Sequence, residues 1–278
     1  MGKNTVQGYF NANASAWLAR YHNRDFDSVT FQDRLEAGLD LLKRFGHKNM
    51  SILDAGCGTG ISTLALLLSG HRAIGCDISI KMAKQASDTI VNAALPNAEM
   101  SEVIVADLQN CPFRDGALDG ILMLGVLGFT DNPDKVLDEV RRMLKTGGLL
   151  VVSSASQKLI LERISDVVSY IPSKVYLFLK MVTTGERPSQ VARLNGFYAE
   201  NLCYHDPREF DKVITKHQFR RLSSRAVNFG EFSVIGKKIL PEHWSIGLSR
   251  FIGIAARIRV FQWLERHARH YVVCMEKI

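Results

Sequence analysis

The five cysteines of this 278-residue chain, Cys57, Cys76, Cys111, Cys203 and Cys274, stand singly, with no C-x-x-C pair and no histidines at zinc spacing. That pattern excludes a disulfide framework and a structural zinc and points to a reducing compartment. Long apolar runs are missing too: the longest, residues 120–129, is too short to span a bilayer. The opening MGKNTVQGYFNANAS has no apolar core of the signal-peptide kind, and Val6 stands where an N-myristoylation site wants Ser or Thr. A cytoplasmic location is the expectation. Low-complexity segments and repeats at solenoid periods are absent, so one elaborated domain is the simplest organisation. Acidic residues are scarce in one half only. Residues 1–154 carry 15 Lys and Arg against 17 Asp and Glu, whereas residues 155–278 carry 20 against 11, so the formal charge of +7 belongs to the second half. It fits an acidic partner there, phosphate, anionic lipid or nucleic acid, or a solvated surface, the ordinary reading of scattered charge.

With 46% hydrophobic residues and a mean hydropathy of -0.01, the chain has material for a large core. Between Ser51 and Ser154 short apolar runs alternate with helical patterns: SILDAG, ISTLALLLSG, RAIGCD, SIKMAKQASDTIVNAA, EVIVAD, LDGILMLG, NPDKVLDEVRRML and LLVVSS. Strands alternating with helices of this length predict an α/β, doubly wound fold, a parallel sheet with helices on both faces. A helical arm (residues 1–45) precedes a cofactor-binding core (46–155). Two lid helices are expected in 156–205, and closing strands in 206–278, with a basic amphipathic cap insertion over 230–269.

The stretch SILDAGCGTGIS runs a strand into an acid and then into a glycine-rich turn, where ligands of open α/β sheets sit. Glycine is needed where the backbone takes angles closed to other residues or touches a ligand, and a helix starting near Gly60 offers free N–H groups. A tight strand-to-helix turn with no ligand explains the glycines too. A dinucleotide fingerprint would need glycine at 61, where Ile stands, so the register is wrong for pyrophosphate. Asp54 would repel a pyrophosphate but suits a cationic ammonium, directly or through water. Asp77, at the end of the second strand, is placed to accept both hydroxyls of a ribose. Asp107, ending VIVAD, can accept from the exocyclic amine of adenine while Leu108 packs on the ring. Ammonium, ribose and adenine together describe S-adenosylmethionine.

In that order, ILDAGCGTG, GCDIS, VADL and DGILMLGVLGF resemble the binding motifs of class I S-adenosylmethionine-dependent methyltransferases over about residues 50–155. The resemblance implies a Rossmann-like, mostly parallel seven-stranded sheet in which the last strand, HYVVCMEKI, is antiparallel. The resemblance implies that Asp54, Gly56, Cys57, Gly58 and Gly60 line the methionine end and that Asp77 holds ribose. It further implies that Ile78 and Met82 flank adenine, that Asp107 and Leu108 read its edge, and that Gly125 lies below the methionine. VQGYFNANASAWLARY, with Tyr9, Phe10, Trp17 and Tyr21, resembles the arm that folds over the cofactor in ubiquinone-type and magnesium-protoporphyrin methyltransferases. Core packing explains those aromatics, and Ile78, Met82 and Leu108 taken singly, about as well. Cys57, with no basic neighbour in sequence, reads as a space-filler rather than a nucleophile.

Methyl transfer from a sulfonium is an in-line displacement in which the protein positions the nucleophile, and a base is needed only for an alcohol or phenol. After the fourth strand the sequence reads GVLGF, where relatives carry a polar residue, so Gly128 supplies no base. His205 in NLCYHDPREF is the candidate general base, its other reading being a loop histidine capping a turn beside Asp206 and Pro207. No NPPY or DPPY follows the fourth strand, which argues against methylation of nucleobase amino groups, and no paired acidic metal site is visible. The expectation is an enzyme acting on a small-molecule or lipid-associated acceptor, at oxygen. Action on RNA or protein, or cofactor binding without catalysis, are the alternatives. The sequence shows no recognisable RNA-binding domain. The insertion combines bulky apolars with Arg250, Arg257, Arg259, Arg266 and Arg269; Leu248, Ile252, Ala255 and Phe261 recur at helical spacing with tryptophans toward either end. Peripheral membrane contact through 244–269 and an amphipathic cap helix packed on the sheet are its two readings.

Overall fold

A computed structural model describes residues 3–22, 25–155, 206–230, 233–234, 237–238 and 240–278. The expected lid helices of 156–205 and His205 lie outside the described residues. Two N-terminal helices, α1 (Lys3–His22) and α2 (Phe26–Phe45), lead into β1 (Ser51–Ala55), α3 (Ile61–Leu68), β2 (Arg72–Asp77), α4 (Ile80–Asn92), β3 (Ser101–Val105) and β4 (Leu118–Met123). Then follow α5 (Pro133–Met143), β5 (Leu144–Ala155), α6 (Pro207–Thr215), β6 (Phe219–Val227), α7 (Glu242–Ala255) and β7 (His270–Lys277). A minimal ladder pairs Ser233–Val234 with Lys237–Lys238, and a 3-10 helix spans Arg259–His267.

Local chemistry sets the helix starts. Asp25 accepts from the Ser28 amide at the head of α2, Ser79 from Met82 at the head of α4, and Asn132 from Lys135 at the head of α5, where Pro133 occupies the first turn.

The seven strands lie in the order β3-β2-β1-β4-β5-β7-β6, parallel through β5, with β7 antiparallel to both neighbours. Side chains alternate between two cores, as a sheet covered on both faces requires. Leu53, Ile121, Met123, Leu150 and Val152 face one, with Val136, Leu137 and Val140 of α5, while Ile52, Leu122 and Val151 face the other, with Leu41 and Leu42 of α2 and Leu66 of α3. Chain order reverses between β1 and β4, so the carboxyl ends of β1, β2, β3 and β4 open onto one crevice.

The insertion after β6 departs from the expected amphipathic stripe. It is not one helix: α7 ends at Ala255 and the chain tightens into the 3-10 helix. The face of α7 turned to the protein is small and polar. Ser245 and Ser249 are buried, Ser249 Oγ accepts from the Phe229 amide at 2.9 Å, and Gly253 lies so close to the Ala226 carbonyl that a Cβ there would stand 3.2 Å from it. Ile252 and Ala255 are partly buried against Phe229 and Ala256, but Leu248 and Phe261 are exposed. The stripe is thus divided, because close approach selects small residues, and a serine that accepts from a backbone amide is buried at no hydrogen-bonding loss.

Candidate cofactor and acceptor site

Three glycines shape the crevice. Gly56, Gly58 and Gly60 have φ of +73°, +53° and +85°, left-handed angles that side chains with a Cβ rarely adopt. Their surroundings differ. A Cβ on Gly56 would stand 2.3 Å from Val126, and one on Gly60 would stand 2.7 Å from the Ala86 backbone, so these two let the loop pack on the chain after β4 and on α4. A Cβ on Gly58 would meet nothing within 4 Å, because it would project into the crevice.

The two carboxylates flanking the loop are buried and held. Asp54, at the end of β1, accepts from Ser62 Oγ and Thr63 Oγ1, each at 2.6 Å, through one oxygen. Burial pushes its carboxyl up to about 6, against the two hydroxyl hydrogen bonds, which pull it down, and with a contribution from the charge of Asp77. Asp77, ending β2, accepts from the Gly58 amide at 2.9 Å through one oxygen and the Ser79 amide at 2.8 Å through the other, stapling the loop to the strand. Burial raises it as well. Cys57 lines the same wall, and burial together with Asp54 and Asp77 pushes its thiol well up, so it is no nucleophile.

Of the sequence candidates, Asp54, Gly56, Cys57, Gly58, Asp77, Ile78, Met82, Asp107, Leu108 and Gly125 line one crevice, joined by Trp17 and Tyr21 of α1. Tyr9 and Gly60 do not line it. Tyr9 packs edge-on against Phe10 at 5.2 Å, and Phe10 is the aromatic that lines the crevice; Gly60 sits behind the loop as the N-cap of α3. The arm is fixed over the site by polar contacts: Gln7 Nε2 donates to the Ile78 carbonyl at 2.9 Å, and Asn11 Oδ1 accepts from Ser79 Oγ at 2.7 Å. Its aromatics join those of the body, Phe10 edge-on to Phe129 at 5.5 Å and Trp17 edge-on to Phe31 at 5.6 Å. The result is an apolar wall opposite the carboxylates.

Arg34 was not visible from the sequence. In FQDRLEAGLD it looks like any solvated helix arginine, yet it is 5% exposed, lines the crevice, and lies 4.9 Å over the Phe31 ring. Its guanidinium backs onto Gly125, where a Cβ would stand 2.5 Å from it. Its Nε is buried with no hydrogen-bond partner, and among the described residues no carboxylate is paired with it. A buried cation without a counter-charge is costly unless an anion arrives to meet it. The crevice therefore offers two buried carboxylates and one buried guanidinium, a fit for a zwitterion.

Residues 53–152 match the family described as Methyltransferase domain. That segment, the glycine loop and the strands that carry the three acids, is a methyltransferase domain, and the solved structures that share its fold include enzymes crystallised with S-adenosylmethionine or S-adenosylhomocysteine. Among relatives, it is 30% identical over 105 residues to sterol 4-C-methyltransferase of Caenorhabditis elegans, a match covering 38% of this chain and 31% of that enzyme. It is 29% identical over 255 residues to an uncharacterized 37.1 kDa protein in a transposon of Streptomyces fradiae, covering 83% of this chain and 71% of the other. The chain thus spans about a third of the sterol enzyme's length. A solved structure of magnesium protoporphyrin IX methyltransferase from Synechocystis with bound S-adenosylhomocysteine aligns over the whole of both chains with a TM-score of 0.62 at 16% identity, a likeness of fold.

Proposed function

We propose that the protein transfers the methyl group of S-adenosylmethionine to a small-molecule or lipid-associated acceptor, at oxygen. The observation that carries this reading is the convergence in one crevice of Asp54, Asp77 and Asp107, from the ends of three adjacent strands, with the unpaired Arg34 and an aromatic wall. The residues fit the cofactor: Asp54 suits its ammonium, Arg34 its carboxylate, Asp77 the ribose hydroxyls, Asp107 the adenine amine, and Gly58 leaves the backbone bare where the ligand approaches. When bound, S-adenosylmethionine supplies an electrophilic methyl on a sulfonium. This chain's own part is positional. The arm and Phe10, Trp17, Phe31 and Phe129 exclude water and present a flat apolar surface to the acceptor, which favours small or lipid-like acceptors. The absence of an Asn/Asp-Pro-Pro-Tyr signature after β4 speaks for oxygen over a nucleobase amine. His205 is proposed as the base that takes the acceptor proton, and the lid of 156–205 as the cover of the acceptor side.

The test is incubation of the purified protein with methyl-labelled cofactor and cell extract, followed by partition into lipid, small-molecule, RNA and protein fractions. Label in the lipid or small-molecule fraction, lost on treatment with strong base as methyl esters are or retained as ethers are, supports the reading. Label in RNA or protein would overturn it, and absence of label beside tight S-adenosylhomocysteine binding would leave a binding module.

A further inference from the structure

The insertion between β6 and β7 leaves its large apolar side chains in water. Trp244, Phe251, Ile254, Ile258, Val260 and Trp263 are all exposed, Val260 at 77% and Phe251 at 68%, although they lie within 20 residues of chain. Single exposed apolars are ordinary, but a contiguous group of this size marks a surface that meets something. The inward face of α7 is already occupied by Ser245, Ser249 and Gly253, so these outward residues have no protein surface to turn to among the described residues.

The arginines of the same segment divide into two sets. Arg250 pairs with Asp33 at 2.6 Å, Arg266 with Asp206 at 3.3 Å and Arg269 with Asp27 at 2.7 Å, which pins the insertion to the body. Arg257 and Arg259 are exposed, have no ion pair among the described residues, and sit among Ile254, Ile258 and Val260. No acid lies between Glu242 and Glu265. An apolar ledge with unneutralised guanidinium groups and indoles toward both ends matches the interface of an anionic bilayer, where apolar groups enter the acyl boundary and cations meet headgroups. A protein partner would fit the apolar residues but supplies no reason for free arginines to stand among them. No helix among the described residues is long and apolar enough to cross a membrane, so the contact is peripheral.

Topology places this ledge on the side of the crevice. Val227, the last residue of β6, pairs with His270, the first of β7, and Ala155, at the carboxyl end of β5, pairs with His270 from the other side. Residues 228–269 therefore leave and rejoin the sheet at the edge where β1, β2 and β4 open onto the cofactor site.

We propose that the 244–263 ledge docks the protein onto anionic membrane surfaces, with the crevice edge toward the bilayer, so that the acceptor is taken from the lipid phase. Only that last clause rests on the methyltransferase reading. The test is flotation of the full-length protein with vesicles of phosphatidylcholine alone and with vesicles containing about one third phosphatidylserine. Binding is expected to the anionic vesicles, to fall as salt is raised, and to be weak on the neutral ones. Each arginine near such a surface is worth about fivefold in partitioning, so the double variant Arg257→Glu/Arg259→Glu is expected to bind at least about 25-fold more weakly. Brominated lipid in the anionic vesicles is expected to quench tryptophan emission, and Trp244→Ser/Trp263→Ser to lose that quenching while S-adenosylhomocysteine binding persists. Failure of the wild type to float with either vesicle at low salt would overturn the proposal, as would a concentration-dependent dimer abolished by Phe251→Ser. Neither result touches methyl transfer, which is read separately from the labelled cofactor.

Discussion

Two regions at the same edge of the sheet bury opposite kinds of side chain. In the crevice, charged groups are inside: Asp54 is 2% exposed and Arg34 5%, the first held by the Ser62 and Thr63 hydroxyls and the second stacked on the Phe31 ring. In the insertion, Ser245 and Ser249 are inside while Trp244, Trp263, Phe251, Phe261, Ile254 and Ile258 are out. Neither arrangement minimises the free energy of the isolated chain, since buried charge costs desolvation and exposed apolar surface forfeits burial. On the two proposals made above, both become favourable when a complementary phase arrives, a zwitterionic cofactor for the first and a lipid interface for the second. The departures from ordinary burial thus mark where the protein meets other molecules.

The largest effect expected lies in the loop that shapes the crevice. Gly60→Val sets a branched side chain at a left-handed angle and drives it into the backbone of α4, 2.7 Å from where its Cβ would stand. Either fault alone costs about 1–3 kcal/mol, so loss of stability of at least several kcal/mol is expected in urea unfolding. Gly58→Ala sharpens the contrast. Its Cβ meets nothing, so the angle alone costs about 1–2 kcal/mol, while S-adenosylhomocysteine affinity by calorimetry is expected to drop because the methyl stands in ligand space. Equal affinity in that variant would show that the loop does not touch the ligand.

Arg34→Met comes next, and its sign identifies the role. Removing a buried cation that no carboxylate pairs among the described residues is expected to leave stability unchanged or raise it, while S-adenosylhomocysteine binding weakens by about 1.5–3 kcal/mol, the worth of a hydrogen bond to a charged group. A structural arginine would show the reverse, lost stability with affinity intact.

The pH dependence follows from Asp54. Its carboxyl is raised from the ordinary carboxylate range to about 6, so the folded state holds a proton that the unfolded state has released between about pH 4 and pH 6. Folding stability is thus full below that window and falls as pH rises through it. Binding of a cation runs the other way, since it needs the ionised carboxylate. Affinity for S-adenosylhomocysteine is expected to rise about tenfold per unit as pH climbs toward 6 and then to level, and Asp54→Asn to flatten the profile. Asp77, raised in the same direction, reinforces the trend.

How much of this was legible beforehand depended on whether the signal was local. The succession of strands and helices, the glycine register and the acids ending β1, β2 and β3 are written in contiguous residues, because a strand, its turn and its terminal side chain are one segment. Arg34 was not legible, since only the packing of α2 against the end of β4 takes it out of water, and nothing in its own helix distinguishes it from Arg44. Tyr9 and Phe10 are adjacent in sequence, and which of them lines the crevice depends on the roll of α1, fixed by Gln7 and Asn11 through contacts with residues 78 and 79. Which face of α7 is buried stayed open for the same reason: spacing reveals that a helix has two faces, but the neighbour decides which one is buried.

The smallest effect tests that last point directly. Phe251→Ser removes a large aromatic from the outward face of α7, and at 68% exposure the side chain gives up little burial, so urea unfolding is expected to shift by no more than about 0.5 kcal/mol. Phe229→Ser, an equal chemical change at a fully buried position beneath the same helix, is expected to cost about 3–5 kcal/mol, because it deletes a filled volume and leaves a hydroxyl among Ala256, Leu264 and Ala268. The two phenylalanines differ only in which side of α7 they occupy. If Phe251→Ser also cost several kcal/mol, its ring would be packed against protein in solution and the ledge would be a buried surface rather than a free one. If its stability is unchanged and its flotation with anionic vesicles is lost, exposure of that ring serves contact with another phase and not the fold.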